Sequence, residues 1–275
     1  MRNFSILYII LFSLMLLLSG CGTNKAQPAE TKNAEKETAQ NDDLLAKVKK
    51  EGKLLVGTEG TYPPFTFHDD KGELTGFDVE IVREIAKRLD VEPVFIETQW
   101  DALFAGLDAK RFDVVANQVG LRADRQEKYD FSDIYTKSAA VLITHEDNDT
   151  VKSFKDVKGL KSAQSLTSNY TDIAKANGAE VIGVEGFNQA IELLTSKRVD
   201  VTFNDKLSYL DFKKHKPDVP VKVVATDTDV SQIALMFRKG NQPLIDEVNK
   251  ALKDMIDDGT YTKISEKWFV EDVLK

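Results

Sequence analysis

Short apolar segments alternate with amphipathic helical patterns along most of this chain, and this alternation constrains the fold more than any single motif. The helical patterns repeat apolar residues at steps of three and four, so each helix has one face to bury. Strands that alternate with helices imply right-handed crossovers and an α/β sheet. In the first series the predicted strands are 54–56, 94–96, 112–116 and 139–144, and the predicted helices are 77–89 and 100–107.

The alternation then starts again, which predicts a second α/β unit of similar size. Its predicted strands are 181–184, 199–203, 221–225 and 233–237, and its predicted helices are 169–176, 188–195, 206–214, 244–255 and 260–269. The joins near Ile143 and Ile233 are strand-like, which predicts two short strands as a hinge. We therefore expect two lobes, 44–143 plus 233–275 and 144–232, with a ligand cleft between them.

The N-terminus has the features of an export signal. A cation precedes an apolar run over 4–18, and the tetrapeptide Leu-Ser-Gly-Cys at 18–21 stands at the end of this run. About 15 apolar residues are fewer than the ~20 that a membrane-spanning helix needs, so we expect cleavage. The tetrapeptide resembles the lipobox of bacterial lipoproteins, which implies a signal peptide over 1–20 and a diacylated Cys21. Residues 21–43 are polar and contain no aromatic residue, which predicts a flexible tether.

Charge and cysteine content exclude several classes of protein. The 275 residues carry a formal net charge of -8, which repels a phosphate backbone, so we expect no nucleic-acid partner. A single cysteine allows neither an intrachain disulfide nor a cysteine-based zinc site, and the three histidines lie far apart. The sequence contains no GxSxG, HExxH, GxxxxGKS/T or GxGxxG motif. We therefore expect no metal, no cofactor and no enzymatic activity.

Five short motifs follow one another along residues 57–135. They are YPPF at 62–65, GFDV at 76–79, WDAL at 100–103, DR at 124–125 and YDFS at 129–132. Their order and spacing resemble those of the bacterial extracellular solute-binding proteins of polar amino acid ABC transporters, and the resemblance extends over 44–271. The strings EGTYPPF, NQV and KYDFS are most similar to the cystine-binding branch of that family.

This resemblance implies a periplasmic-binding-protein-like fold with two lobes, an interlobe ligand cleft and a two-strand hinge. It assigns Arg125 to the carboxylate of an amino acid, and a planar guanidinium suits this role because it donates two parallel hydrogen bonds. It assigns Asp205 to the ammonium group. Asp205 would serve equally well as the N-cap of the helix predicted from Lys206, so both roles stay open at this point.

The resemblance implies further contacts with the ligand. Ser168 and Asn169 open a predicted helix, whose first backbone N–H groups favour a carboxylate. Tyr62 and Trp100 would form an aromatic wall over the aliphatic part of the ligand. Glu59, from the same segment as Tyr62, would pair with the second ammonium group that cystine carries.

The segment that contains the NQV motif supplies the last two implied site residues. Asn117 belongs to the motif, and Gly120 stands just beyond it, where most relatives have Thr or Ser. The missing hydroxyl removes a side-chain hydrogen bond to the carboxylate, worth about 1 kcal/mol. We therefore expect a changed affinity, with the carboxylate clamp retained.

We expect a lipid-anchored binding protein on the extracytoplasmic face of the cell membrane, as on a Gram-positive surface. Its expected partners are an amino acid, L-cystine before others, and an ABC permease with its ATPase, and we expect a monomer. A binding protein for another polar amino acid is one alternative. A second is a dehydratase acting on arogenate or prephenate, for which Glu59 would be the general acid. A third is a ligand sensor, which the lack of an output domain disfavours.

Overall fold

The computed structural model describes residues 43–269 and 272–274. The signal peptide predicted over 1–20, with Cys21, and the tether predicted over 21–43, apart from Asp43, lie outside the described residues. No helix in the described part is both long enough and apolar enough to cross a membrane.

Eight strands of the described chain form one mixed sheet. All the strands are β1 (Lys53–Thr58), β2 (Thr61–Tyr62), β3 (Thr66–His68), β4 (Leu74–Thr75), β5 (Glu92–Glu97), β6 (Val114–Val115), β7 (Tyr129–His145), β8 (Lys161–Gln164), β9 (Glu180–Gly183), β10 (Val201–Asp205) and β11 (Val221–Arg238). The large sheet has the order β5–β1–β6–β11–β7–β10–β8–β9, and β2, β3 and β4 form a small separate sheet. β1 is parallel to β5 and β6, and β8 is parallel to β9 and β10.

Helices fill most of the connections between these strands, so the predicted α/β class is confirmed. They are α1 (Leu44–Glu51), α2 (Phe77–Arg88), α3 (Trp100–Asp108), α4 (Ala123–Lys128), α5 (Asn169–Ala176), α6 (Phe187–Thr195), α7 (Lys206–His215), α8 (Gln242–Asp257) and α9 (Thr260–Phe269). The helices predicted from apolar spacing agree with the structure to within two residues at each end. The short helices α1 and α4 were not predicted.

The two longest strands, β7 and β11, run antiparallel to each other through the middle of the sheet. Their pairing extends from Tyr129 opposite Arg238 to His145 opposite Val221. The apolar pattern predicts shorter separate strands here, because polar residues interrupt it over 226–232. A register shift in β11 absorbs this polar stretch without ending the strand. The two joins predicted as short strands are therefore parts of two long ones.

Buried apolar side chains fall into two groups along the sheet. One group comes from 44–135 and 233–273, with Leu207 added. The other comes from 141–221. β7 and β11 contribute side chains to both groups. We call the parts built on these groups the first half and the second half; the predicted lobe boundaries stay a prediction.

The hydrophobicity pattern does not predict β8, whose four residues contain no apolar run. Its residues Ser162, Ala163 and Gln164 are nonetheless buried. Gln164 Nε2 donates to the Ser162 hydroxyl (3.0 Å), so these polar side chains satisfy each other. A buried strand of this kind is recognisable only from its neighbours in the sheet.

Phe112 packs β1 against α3, two elements that lead into the site described below. Its ring is fully buried and lies against Gly57 of β1 and Gly106 of α3. A Cβ atom added at Gly57 would lie 2.5 Å from ring atom Cε2, and one added at Gly106 would lie 2.6 Å from Cζ. The ring therefore fills the space left by two glycines and sets the separation of β1 from α3.

We expect Gly57→Ala to lower the free energy of unfolding by about 1–3 kcal/mol, because the added methyl group has no room beside the Phe112 ring. Urea unfolding followed by circular dichroism measures the change. The double variant Gly57→Ala/Phe112→Leu recovers part of the loss, since a smaller side chain at 112 makes room. Equal unfolding midpoints for the wild type and Gly57→Ala would contradict this packing.

Candidate functional site

The carboxyl ends of β1, β6, β8, β9 and β10 meet at one cavity. In open α/β sheets ligands bind at this edge. The cavity contains about 590 Å³ of space between protein atoms, its open mouth included. Aromatic, amide, hydroxyl and carboxyl side chains line it, and this mixture suits a small polar ligand.

Six of the nine site residues predicted from the sequence lie on the cavity wall: Glu59, Tyr62, Trp100, Asn117, Ser168 and Asn169. The first four belong to the first half and the last two to the second half, so the cavity lies between the halves. Gly120, Arg125 and Asp205 are not part of the wall and lie next to it, in the contacts described below.

Glu59 and Asn117 form a hydrogen-bonded pair on the wall. Asn117 Nδ2 donates to Glu59 Oε2 (2.5 Å), and Asn117 Oδ1 accepts from the Glu59 backbone N–H (2.8 Å). Burial raises the pKa of Glu59 to about 7, and the hydrogen bond from Asn117 opposes this rise only in part. The Glu59 carboxyl therefore takes up a proton more readily than an exposed glutamate does.

Tyr62 and Trp100 cover the cavity from the first half. The Tyr62 hydroxyl donates to Asn204 Oδ1 of the second half (2.8 Å). Trp100 is the first residue of α3 and is 7% exposed. Both residues line the cavity, and the Tyr62 hydroxyl also joins the two halves.

Arg125, predicted to hold a carboxylate, is buried behind Trp100. Nη1 donates to the Gly120 carbonyl (3.1 Å) and Nη2 donates to the Thr167 carbonyl of the second half (3.0 Å). The guanidinium lies 5.5 Å from the Trp100 ring centroid and 5.3 Å from that of Phe104. Burial lowers the pKa of Arg125 to about 10, so the group is charged at neutral pH. Its hydrogen bonds to neutral carbonyls leave it with attraction for an anion.

The position of Gly120 has room for a side chain. A Cβ atom added there would lie 3.9 Å from Arg125 Nη1 and 3.9 Å from Ile233 Cδ1, which are ordinary contacts. The backbone of Gly120 is not in the left-handed region that favours glycine. Neither packing nor backbone therefore demands a glycine beside the guanidinium.

Asp205 ends β10 and caps α7. Its Oδ1 accepts from the backbone N–H groups of Leu207 (2.7 Å) and Ser208 (3.4 Å). The side chain is buried, and burial raises its pKa to about 6. Of the two roles predicted for Asp205, the helix cap is the one seen in the structure. Its role toward an ammonium group stays a proposal.

Polar contacts join the two halves around the cavity. Asp101 of α3 accepts from the Thr167 backbone N–H (2.9 Å) and from the Thr167 hydroxyl (2.6 Å). Arg122 forms an ion pair with Asp172 of α5. Because these contacts need the halves close together, the structure corresponds to a closed arrangement.

Sequence reasoning missed several wall residues, most of them in the second half: Gln164, Ser165, Tyr170, Phe187, Thr202 and Asn204, with Thr61 and Gln118 in the first half. Gln164 and Ser165 stand at the end of β8, the strand that the apolar pattern does not predict. Thr202 and Asn204 belong to β10, which is predicted, and Asn204 stands near its carboxyl end. The rule that ligands bind at the carboxyl ends of strands would have found Asn204.

Comparison with known proteins gives a match over nearly the whole described chain. The family model "Bacterial extracellular solute-binding proteins, family 3" matches residues 54–271. The L-cystine-binding protein TcyA of Bacillus subtilis (strain 168) is 53% identical over 259 residues, 94% of this chain and 94% of that protein. The L-cystine-binding protein TcyJ of Escherichia coli (strain K12) is 42% identical over 239 residues, 86% of this chain and 89% of that protein.

Two solved structures differ in how well they superpose on this chain. An ancestral arginine-binding protein bound to glutamine has 37% identity and a TM-score of 0.77, over 80% of this chain and 99% of that chain. The L-cystine solute receptor of Neisseria gonorrhoeae in the unliganded open conformation has 45% identity and a TM-score of only 0.56, over 83% of this chain and 98% of that chain. The lower structural likeness at higher identity agrees with the closed arrangement of the two halves.

Without added ligand, we expect Glu59→Gln to have a higher melting temperature than the wild type. We expect this difference to be larger at pH 8 than at pH 5. The folded protein raises the pKa of Glu59 from its ordinary 4.5 to about 7, so ionisation opposes folding. The wild type therefore loses this part of its stability as the pH rises from about 4.5 through about 7, whereas glutamine does not titrate.

Thermal denaturation of both proteins across this pH range measures the difference. Glu127→Gln, an exposed position of α4, controls for the loss of one negative charge. A difference between Glu59→Gln and wild type that does not change with pH would contradict the assignment.

Proposed function

We propose that this chain, which belongs to the bacterial extracellular solute-binding proteins, family 3, binds L-cystine in the cavity between its halves. It would then deliver the L-cystine to an ABC permease. The observation that carries the choice of ligand is the extensive identity with the L-cystine-binding protein TcyA. An amino acid ligand is supported by the charges at the cavity, because Glu59 lies on its wall and the buried Arg125 and Asp205 lie next to it.

A free amino acid needs partners for both of its charges, because removing either one from water alone is costly. We assign the ligand carboxylate to Arg125 and to the N-terminus of α5, where Ser168 is the cap and Asn169 begins the helix. The guanidinium would exchange its carbonyl partners for the two carboxylate oxygens. We assign the ammonium group to Asp205, which uses Oδ1 alone for both backbone bonds of its helix cap.

The far end of cystine carries a second ammonium and a second carboxylate group. We assign this end to the Glu59 side of the cavity, where a further recess shares Glu59 and Gly186 with it. Glu97 and Glu185 also line this recess. Acidic side chains attract the second ammonium group, while Trp100 would cover the apolar middle of the ligand.

We take the two halves to be lobes, 44–143 plus 233–275 and 144–232, that open and close about β7 and β11. The bonds from Thr167 to Asp101 belong to the closed state. Ligand binding would shift the conformational equilibrium toward the closed state, because both halves contact the ligand only in that state. A permease and its ATPase would then distinguish the closed protein from the open one.

The same proposal includes the location. Cleavage after residue 20 and acylation of Cys21 would hold the protein at the outer face of the membrane, since two acyl chains give a stable anchor. The binding domain would be a monomer. We propose that it does no covalent chemistry. A dehydratase reaction at Glu59 is the rival function, and the ligand titration below also tests it.

We expect Arg125→Lys to weaken L-cystine binding about 30-fold, because lysine keeps the charge but cannot form the two parallel hydrogen bonds, and a hydrogen bond to a charged group contributes about 1.5–3 kcal/mol. Calorimetric titration of residues 43–275 measures the dissociation constant. Arg83→Lys, an exposed arginine of α2, is the matched control and keeps the wild-type affinity. Loss of the fold together with binding in Arg125→Lys would make Arg125 structural.

The same titration decides the ligand. Binding of cystine that disappears when the ligand is reduced to cysteine supports L-cystine, whereas heat from another polar amino acid alone keeps the transport role and replaces the ligand. Silence with every amino acid, together with consumption of arogenate or prephenate in an absorbance assay, would favour the dehydratase.

We expect Cys21→Ala to release the protein from the membrane fraction into the medium, because the acceptor of the acyl chains is lost. Fractionation of expressing cells and mass spectrometry of the mature N-terminus measure this. Retention of Cys21→Ala in the membrane fraction would contradict lipid anchoring.

A further inference from the structure

Gln118 has an unusual backbone conformation for a residue on the cavity wall. Among the described non-glycine residues, positive φ angles occur at Asp90, Lys110, Gln118 and Lys197. Three of these follow the ends of α2, α3 and α6, where such a residue commonly ends a helix. Gln118, at φ 51°, lies between β6 and α4 and is buried. A residue held in this conformation away from a helix end indicates that its surroundings fix the backbone.

Asp78 of α2 holds this backbone. Its Oδ2 accepts from the Gln118 backbone N–H (2.8 Å), and its Oδ1 accepts from Gln118 Nε2 (2.7 Å). Asp78 is fully buried and is not part of the cavity wall. Because one carboxylate binds both the backbone and the side chain of Gln118, it fixes the φ angle and the rotamer together.

Asp78 is itself held in place by the segment that leads into α2. Its backbone N–H donates to the Phe65 carbonyl (3.0 Å). Gly76 allows this close approach, since its φ is 127° and a Cβ atom there would lie 2.2 Å from the Phe65 carbonyl oxygen. The carboxylate therefore projects from a fixed point of the first half.

The turn at Gln118 carries a site contact on each side. On one side Asn117 binds Glu59 through its amide. On the other side the Gly120 carbonyl accepts from Arg125 Nη1. Gln118 therefore connects the two contacts along the chain, and backbone bonds to β11 begin directly after it.

We propose that Asp78 is a positioning residue of the binding site: by holding Gln118 it sets Asn117 and the Gly120 carbonyl, and through them Glu59 and Arg125, without contacting the ligand. The inference rests on the proposed function, since it takes this cavity as the amino acid site. It adds a buried acid, 40 residues before its partner in the chain, to the groups on which affinity depends.

Asp78→Asn tests the proposal with little change in size. Gln118 donates to both oxygens of Asp78, whereas an asparagine offers one oxygen and one NH₂ group. At least one of the two bonds to Gln118 is therefore lost or must rearrange. We expect the dissociation constant for L-cystine to rise about tenfold. Asp113→Asn is the matched control, since Asp113 is also buried and accepts from the Leu55 backbone N–H (3.0 Å) away from the cavity. This control lowers the melting temperature and leaves the dissociation constant unchanged.

A double-variant cycle separates positioning from a general structural role. Glycine adopts the conformation of residue 118 without strain, so Gln118→Gly relieves the need for Asp78 to hold it. We expect Asp78→Asn to raise the dissociation constant less in the Gln118→Gly background than in the wild type. The same fold-change in both backgrounds would overturn the proposal. Asp78→Glu replaces Asp78→Asn in this cycle if the latter does not fold.

The outcomes distinguish this inference from the function beneath it. A wild type that binds L-cystine, with an unchanged dissociation constant in Asp78→Asn, overturns the role of Asp78 alone. A wild type that binds no amino acid overturns the proposed function. A tenfold loss with the predicted coupling to residue 118 supports both.

Discussion

The antiparallel pairing of β7 with β11 is the interaction on which both halves of the molecule depend. Backbone hydrogen bonds along strands of 17 and 18 residues require no particular side chain, so a polar stretch passes through the sheet without ending it. Side chains of these strands enter both groups of buried apolar residues. Each half therefore has its own core while sharing one continuous backbone joint, and the cavity lies where the halves face each other.

Burial governs the chemistry of that cavity. It raises the pKa values of Glu59, Asp78 and Asp205 and lowers that of Arg125, because each charged form loses water. A ligand with opposite charges at fixed separation would pair with such groups in the same dry space. The polar contacts that join the halves, such as the bonds from Thr167 to Asp101, lie outside the cavity wall.

The sequence predicted the elements that depend on apolar spacing. The α2 and α8 patterns are readable because a helix with one apolar face has to bury it. Predicted site residues such as Glu59 and Asn117 reached the cavity because they lie within two residues of the carboxyl end of a strand. β8 could not be predicted in this way, since Ser162 and Gln164 are polar side chains that satisfy each other inside the sheet.

By itself the sequence determined the family, the alternation of strands with helices and the supply of charged and aromatic side chains near strand ends. Only the tertiary structure decided that Asp205 caps α7, that Arg125 lies behind Trp100, and that Asp78 holds Gln118. Local patterns follow from the spacing of neighbours along the chain, whereas such contacts depend on distances in space. Packing of the two cores sets those distances, so local patterns in the sequence do not predict them.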